Sequence, residues 1–147
     1  MTFSVDPTRI LLVEDDLNDL ELINLAFESY NFANQIDIVT DGEQALQFLL
    51  GDENVLPQPF LPRLMLLDLK LPKVSGIEVL QQLRAHPRTR NMVIVVMTSS
   101  REDSDLKACY DLGVNSYVVK PLDFQQFTDV TQQIGLYWML LNQPPAI

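Results

Sequence analysis

Five polar residues end apolar runs in positions that could support chemistry. Glu14 and Asp15 follow Ile10–Val13, Asp68 follows Leu64–Leu67, Thr98 follows Met92–Met97, and Lys120 follows Tyr117–Val119. If these positions converge, three carboxylates repel one another until a divalent cation joins them. An all-oxygen donor set suits Mg2+, with Mn2+ as a substitute. A carboxylate beside such a cation, with an ammonium and a hydroxyl nearby, can attack a phosphoryl group and become an aspartyl phosphate. Taken singly, a carboxylate after a strand often serves only to cap a helix or solvate a turn. Asp16 fits that plainer use because it stands where the first helix should begin, which leaves Glu14 and Asp15 for the cation.

The elements that must position these residues are legible from periodicity. Ile10–Val13, Leu64–Leu67 and Met92–Met97 read as buried strands, because each is a short continuous apolar run, and Ile36–Val39 and Tyr117–Val119 read as two further short strands. Between them lie helical stripes. Leu20, Ile23, Phe27 and Tyr30 share one face of the first helix, and Ala45, Leu46 and Leu49 mark the second, with Asp41 as its cap and Gly51 as its end. Ser75 and Glu78 have capping-box spacing before Ile77, Leu80 and Leu83, and His86-Pro87 stops that helix. Leu106, Cys109 and Leu112 line a fourth, closed by Gly113, and Asp123 with Gln126 opens a fifth. Residues 51–62 hold three prolines and read as a stiffened loop.

Five strands alternating with five helices predict an α/β, doubly wound fold: an open parallel sheet covered on both faces. Ligands then bind outside the carboxyl ends of the strands, which is where the five polar residues stand. The chain has 147 residues and 47% hydrophobic content, enough for one core, so residues 1–147 are expected to form one domain. Twenty acidic against ten basic residues give a net charge of −10, which disfavours contact with the nucleic-acid backbone. A single cysteine, no signal-like start and no membrane-length apolar run point to a cytoplasmic protein with no membrane partner. The lack of a Gly-rich loop after any strand argues against nucleotide or flavin binding.

Ile10-Leu-Leu-Val-Glu-Asp-Asp16, Leu66-Leu-Asp-Leu-Lys-Leu-Pro72 with Gly76, Thr98-Ser99 and Tyr117-Val-Val-Lys-Pro121 together resemble the receiver domain of two-component response regulators. The likeness runs from Arg9 to about Phe127, a core of about 9–127, with the last helix extended to about 142. It implies a flavodoxin-like (βα)5 sheet of order 2-1-3-4-5. It also implies that Asp68 is the phosphoacceptor, that Glu14, Asp15, Asp68 and the backbone carbonyl of Lys70 hold the metal, and that Lys120 pairs with the phosphoryl oxygens. Thr98 and Tyr117 would act as the switch, and the Lys120–Pro121 peptide bond is expected to be cis. The implied phosphate source is a sensor histidine kinase. The Pro-containing insertion and aromatic tail are also similar to small single-domain regulators partnered with bacterial and cyanobacterial phytochromes.

Two departures from the family pattern stand out: Ser99 replaces a common alanine, and Lys70 places a long cation near Asp68, where it could alter the phosphate lifetime. Cys109 reads as a core residue and His86 as a helix-end residue. In the last helix Phe124, Phe127, Val130, Ile134, Trp138 and Leu141 follow one face, but Leu136, Tyr137, Met139 and Leu140 cover others. That excess suggests a partner, and the resemblance implies a homodimer through the fourth helix, fifth strand and fifth helix, the usual switch face of the family; the alternative is a tail folded back on its own domain. Output would pass to a downstream protein or a phosphotransfer partner. The competing functions are a small phosphatase or phosphotransferase acting on external substrates through an aspartyl phosphate, and a dimer module indifferent to phosphate.

Overall fold

In a computed structural model, residues 4–30 and 35–145 are described. The strands β1 (Val5–Val13), β2 (Gln35–Val39), β3 (Leu61–Leu67), β4 (Ile94–Thr98) and β5 (Ser116–Val119) form one parallel sheet of order β2-β1-β3-β4-β5. Helices α1 (Leu17–Glu28), α2 (Gly42–Leu50), α3 (Gly76–Ala85), α4 (Asp103–Asp111) and α5 (Phe124–Gly135) alternate with them. Fold class and strand order are those expected. The apolar runs have a direct cause, since successive side chains of a strand point to opposite faces and helices cover both. Leu11, Met65 and Ile94 enter one core with α2, α3 and α4, while Ile10, Leu12, Leu64 and Val95 enter another with α1 and α5.

Four helix starts are fixed by side chains near the carboxyl ends of the strands. Asp16 Oδ1 accepts from the Asn18 and Asp19 amides at 2.9 and 3.0 Å, and Asp41 accepts from Gln44 at 2.7 Å. Ser75 accepts from Glu78 at 3.3 Å and Asp123 from Gln126 at 2.9 Å. Each such cap contributes about 1 kcal/mol and fixes where its helix begins. Gly76 has a further reason: a Cβ there would stand 2.4 Å from the carbonyl oxygen of Asp68. Only a residue without a side chain lets α3 start this close to the end of β3.

Several boundaries depart from expectation. β1 begins at Val5, and β3 begins at Leu61, so Pro62 lies in a strand rather than a loop and pairs with Asp6. A proline is tolerated near a strand start, and the register shift between Asp6 and Ile10 relieves the ladder there. β4 starts at Ile94 rather than Met92, α1 ends before Tyr30, and Leu106 is 38% exposed although Cys109 below it is buried. No described peptide bond is cis, so Lys120–Pro121 is trans, the form preferred by about 0.5–1 kcal/mol before proline.

The largest difference is at the tail. After Gly135 the chain widens into a π-helix, Leu136–Leu141. Wider turns change which residues share a face. Met139, expected off the apolar stripe, is buried, whereas Leu141 on that stripe is exposed. Trp138 packs against the α1–α5 core, and Arg63 of β3 donates to the carbonyls of Trp138 and Asn142 at 3.3 and 2.9 Å. The tail thus folds partly onto its own domain, leaving Tyr137, Leu140 and Leu141 outward.

Candidate functional site

The sheet brings together the polar residues expected at its carboxyl edge. Backbone hydrogen bonds tie their main chains to neighbouring strand ends. The Glu14 amide donates to the Val39 carbonyl at 3.1 Å, Asp68 to Val13 at 3.0 Å, and Lys120 to Thr98 at 2.7 Å. One carboxylate oxygen from each of Glu14, Asp15 and Asp68 lies within 4.8 Å of the other two. Asp16 is apart from them as the cap of α1, as its position suggested.

Asp68 is 8% exposed, and its two oxygens are treated differently. Oδ1 accepts from the amides of Leu69 at 2.7 Å and Lys70 at 3.4 Å, while Oδ2 accepts from Lys120 Nζ at 2.9 Å. Lys120 Nζ also donates to Glu14 Oε1 and to Asp19 Oδ2, each at 2.7 Å. Asp19 was not among the expected site residues. It reads as one more polar residue on a helix surface, and only the tertiary approach of Lys120 reveals its pairing. Thr98 is fully buried; its Oγ1 accepts from the Ser100 amide at 3.3 Å. Tyr117 donates its hydroxyl to the Ser100 carbonyl at 3.0 Å, so the two expected switch residues meet at one loop residue. Ser99 and the Lys70 side chain are exposed.

The charge balance at this edge is uneven. Burial pushes the Glu14 carboxyl up to about 9, and the neighbouring Asp68 carboxylate adds to that, against the pull of Lys120. Burial would also raise Asp68, but Glu14, Lys120 and Thr98 hold it below the usual carboxylate range. Lys120 is buried too, yet Asp19, Glu14 and Asp68 raise its ammonium above the ordinary lysine value. The pair therefore keeps a proton on Glu14 and leaves Asp68 ionised as a nucleophile. Glu14 Oε2 is buried without a hydrogen-bond partner. An unpartnered oxygen on a member of the acidic trio fits a hard divalent cation, which would take the place of the Glu14 proton.

The remaining candidates are structural. His86 caps α3, and its Nδ1 accepts from the Arg88 amide at 3.0 Å. Burial pushes the Cys109 thiol up to about 11, as befits a core residue rather than a reactive one. Among the described residues no helix is long and apolar enough to cross a membrane.

Residues 10–132 match the family model of the response regulator receiver domain. The probable methanogenesis regulatory protein FilR2 of Methanothrix harundinacea is 43% identical over 141 residues, covering 96% of this chain and 90% of that protein. The Mn(2+)-bound form of response regulator Rcp1, a protein of Synechocystis, superposes with a TM-score of 0.86 at 34% identity, covering 95% of this chain and 100% of that one. The phosphorylated cyanobacterial phytochrome response regulator RcpA gives 0.88 at 31% identity, over 94% and 98% of the two chains. Its sheet order, its acidic cluster beside a buried lysine and these likenesses agree that the chain belongs to the response regulator receiver family.

Proposed function

We propose that this chain works as a stand-alone receiver that accepts a phosphoryl group on Asp68 from a sensor histidine kinase. The observation that carries the assignment is the state of Asp68: a nearly buried carboxylate, ionised, with one oxygen on backbone amides and the other on Lys120. In the transfer, an Asp68 oxygen forms the O–P bond and the N–P bond of phosphohistidine breaks. The bonding pair stays on the imidazole nitrogen, which takes up a proton. Lys120 then faces the transferred oxygens. Glu14, Asp15, Asp68 and the Lys70 carbonyl would hold Mg2+, or Mn2+, which supplies further positive charge there. Catalysis is confined to the protein's own phosphorylation and dephosphorylation.

Thr98 and Tyr117 carry the change outward. A phosphoryl group that draws the Thr98 hydroxyl shifts the Ser100 loop, to which Tyr117 is bonded, and so biases one of two arrangements of the α4–β5–α5 face. Between β5 and α5, at the edge of this face away from α4, lies a groove of about 500 Å3 lined by Val118, Val130, Ile134, Tyr137 and Trp138 among others. It suits a second copy of the chain, and the homodimer so formed would present the switch to a downstream protein or phosphotransfer partner. Likeness to RcpA supports a phytochrome as the sensor, and a cytoplasmic location follows from that role.

Incubation with phosphoramidate and MgCl2, followed by intact-mass and sizing measurements, tests this reading. Wild type gains one phosphoryl group and shifts in size, and Asp68→Asn does neither. An unmodified wild type overturns the assignment. Transfer from another histidine kinase but not from a phytochrome overturns only the proposed sensor.

A further inference from the structure

Lys120 is gripped from a side that the phosphoryl chemistry above leaves unused. An ammonium has three N–H donors, and here Glu14, Asp19 and Asp68 take one each. Glu14 and Asp68 belong to the acidic trio. Asp19 does not: it stands in the first turn of α1 and reaches the ammonium from the helix. Its backbone is fixed by the cap, since the Asp19 amide donates to Asp16 Oδ1 at 3.0 Å. Its side chain is 23% exposed, on the wall of a depression of about 280 Å3 that it shares with Lys120, Ser99, Pro121 and Phe127.

Glu14 and Asp68 cannot give Lys120 undivided attention during transfer. Both would be drawn toward a bound cation, and Asp68 would change from a carboxylate into an acyl phosphate. A lysine on a flexible four-carbon stem would then be free to leave. We propose that Asp19 is a positioning residue for Lys120, holding the ammonium beside Asp68 from the α1 side while the other two carboxylates change partners. This rests on the reading of Asp68 as phosphoacceptor. Outer partners of this kind orient the group that acts, and losing one typically lowers affinity or activity by about tenfold or more.

The test uses the full chain labelled with 15N-lysine, with phosphoramidate as donor and MgCl2. Asp68 oxygen forms the O–P bond, the donor's N–P bond breaks, and nitrogen leaves with the electron pair as ammonia. Wild type shows a Lys120 ammonium resonance protected from solvent exchange, with or without MgCl2. Asp19→Asn loses that protection in MgCl2 and is phosphorylated about tenfold more slowly, and Asp19→Glu restores both. Asp16→Asn removes a charge three residues away but keeps the cap, because asparagine caps as well as aspartate, and it behaves as wild type.

A protected resonance and a wild-type rate in Asp19→Asn overturn the proposal. So does an equal loss in Asp16→Asn, which makes the effect one of net charge. Far-ultraviolet circular dichroism checks that the variants fold, and a collapsed Asp19→Asn spectrum with no rescue by Asp19→Glu assigns Asp19 to stability instead. A wild type that takes no phosphoryl group overturns the receiver reading as well.

Discussion

The two ends of β3 handle charge in opposite ways. Near its start, Arg63 donates to two carbonyls of the tail, so a cation meets acceptors that carry only partial charge. At its end, Asp68 shares one lysine with two other carboxylates, and Glu14 keeps an oxygen with no partner. The first arrangement is complete and holds structure together. The second is short of positive charge, a shortage that a divalent cation would fill, and only with that cation and Lys120 together would the edge offset the negative charge of an incoming phosphoryl group.

Removing the lysine should give the larger effect. Lys120→Met leaves buried carboxylates without their counter-ion, and loss of one partner of such a set typically costs about 3 kcal/mol or more. Urea unfolding with a chelator should show the loss, and MgCl2 should recover part of it. Arg63→Ala should cost about 2 kcal/mol from its hydrogen bonds, with no recovery by MgCl2. Recovery in both variants, or in neither, breaks the contrast between the two ends.

A smaller effect follows from Glu14. Its carboxyl is raised in the folded, metal-free protein to about 9, above its ordinary 4.5. Its contribution to stability is therefore full below the ordinary value and is lost as pH rises toward 9. A cation must displace that proton, so the stabilisation by MgCl2 should grow across the same window. Thermal unfolding with and without MgCl2 at mildly acidic and mildly alkaline pH measures it, and a pH-independent increment would mean that Glu14 is not a ligand. Smallest of all in stability is Lys70→Ala, expected within about 0.5 kcal/mol because the side chain is exposed. Its readout is the decay of the phosphorylated protein, whose rate should change if the cation screens the phosphoryl group.

Much of this was legible before any coordinates. The apolar runs announced strands buried on both faces, and the polar residues ending them announced a site, because a strand's end is a local fact. Caps such as Asp16, Asp41 and Asp123 were readable for the same reason. What was hidden was tertiary. Asp19 looks like any acidic residue on a helix until Lys120 arrives from the far edge of the sheet. The tail misled for a different reason: a regular helical period predicts one buried stripe, and the π-turn moves Met139 inward and Leu141 outward. Pro62 reads as a loop residue in the sequence because its effect on a strand depends on where the neighbouring ladder is interrupted.

The pairing of Lys120 with Glu14 spans 106 residues. The carboxylates come from the first and third strands, and their counter-ion comes from the end of the fifth. During synthesis the acidic cluster is therefore made well before the lysine that balances it. Contacts so distant in sequence close late, after the loops between them have been ordered. A nascent or truncated chain carries Asp68 in an electrostatically unfinished setting, so if Asp68 is the acceptor proposed above, its donor would meet the assembled site only on a domain whose last strand has docked.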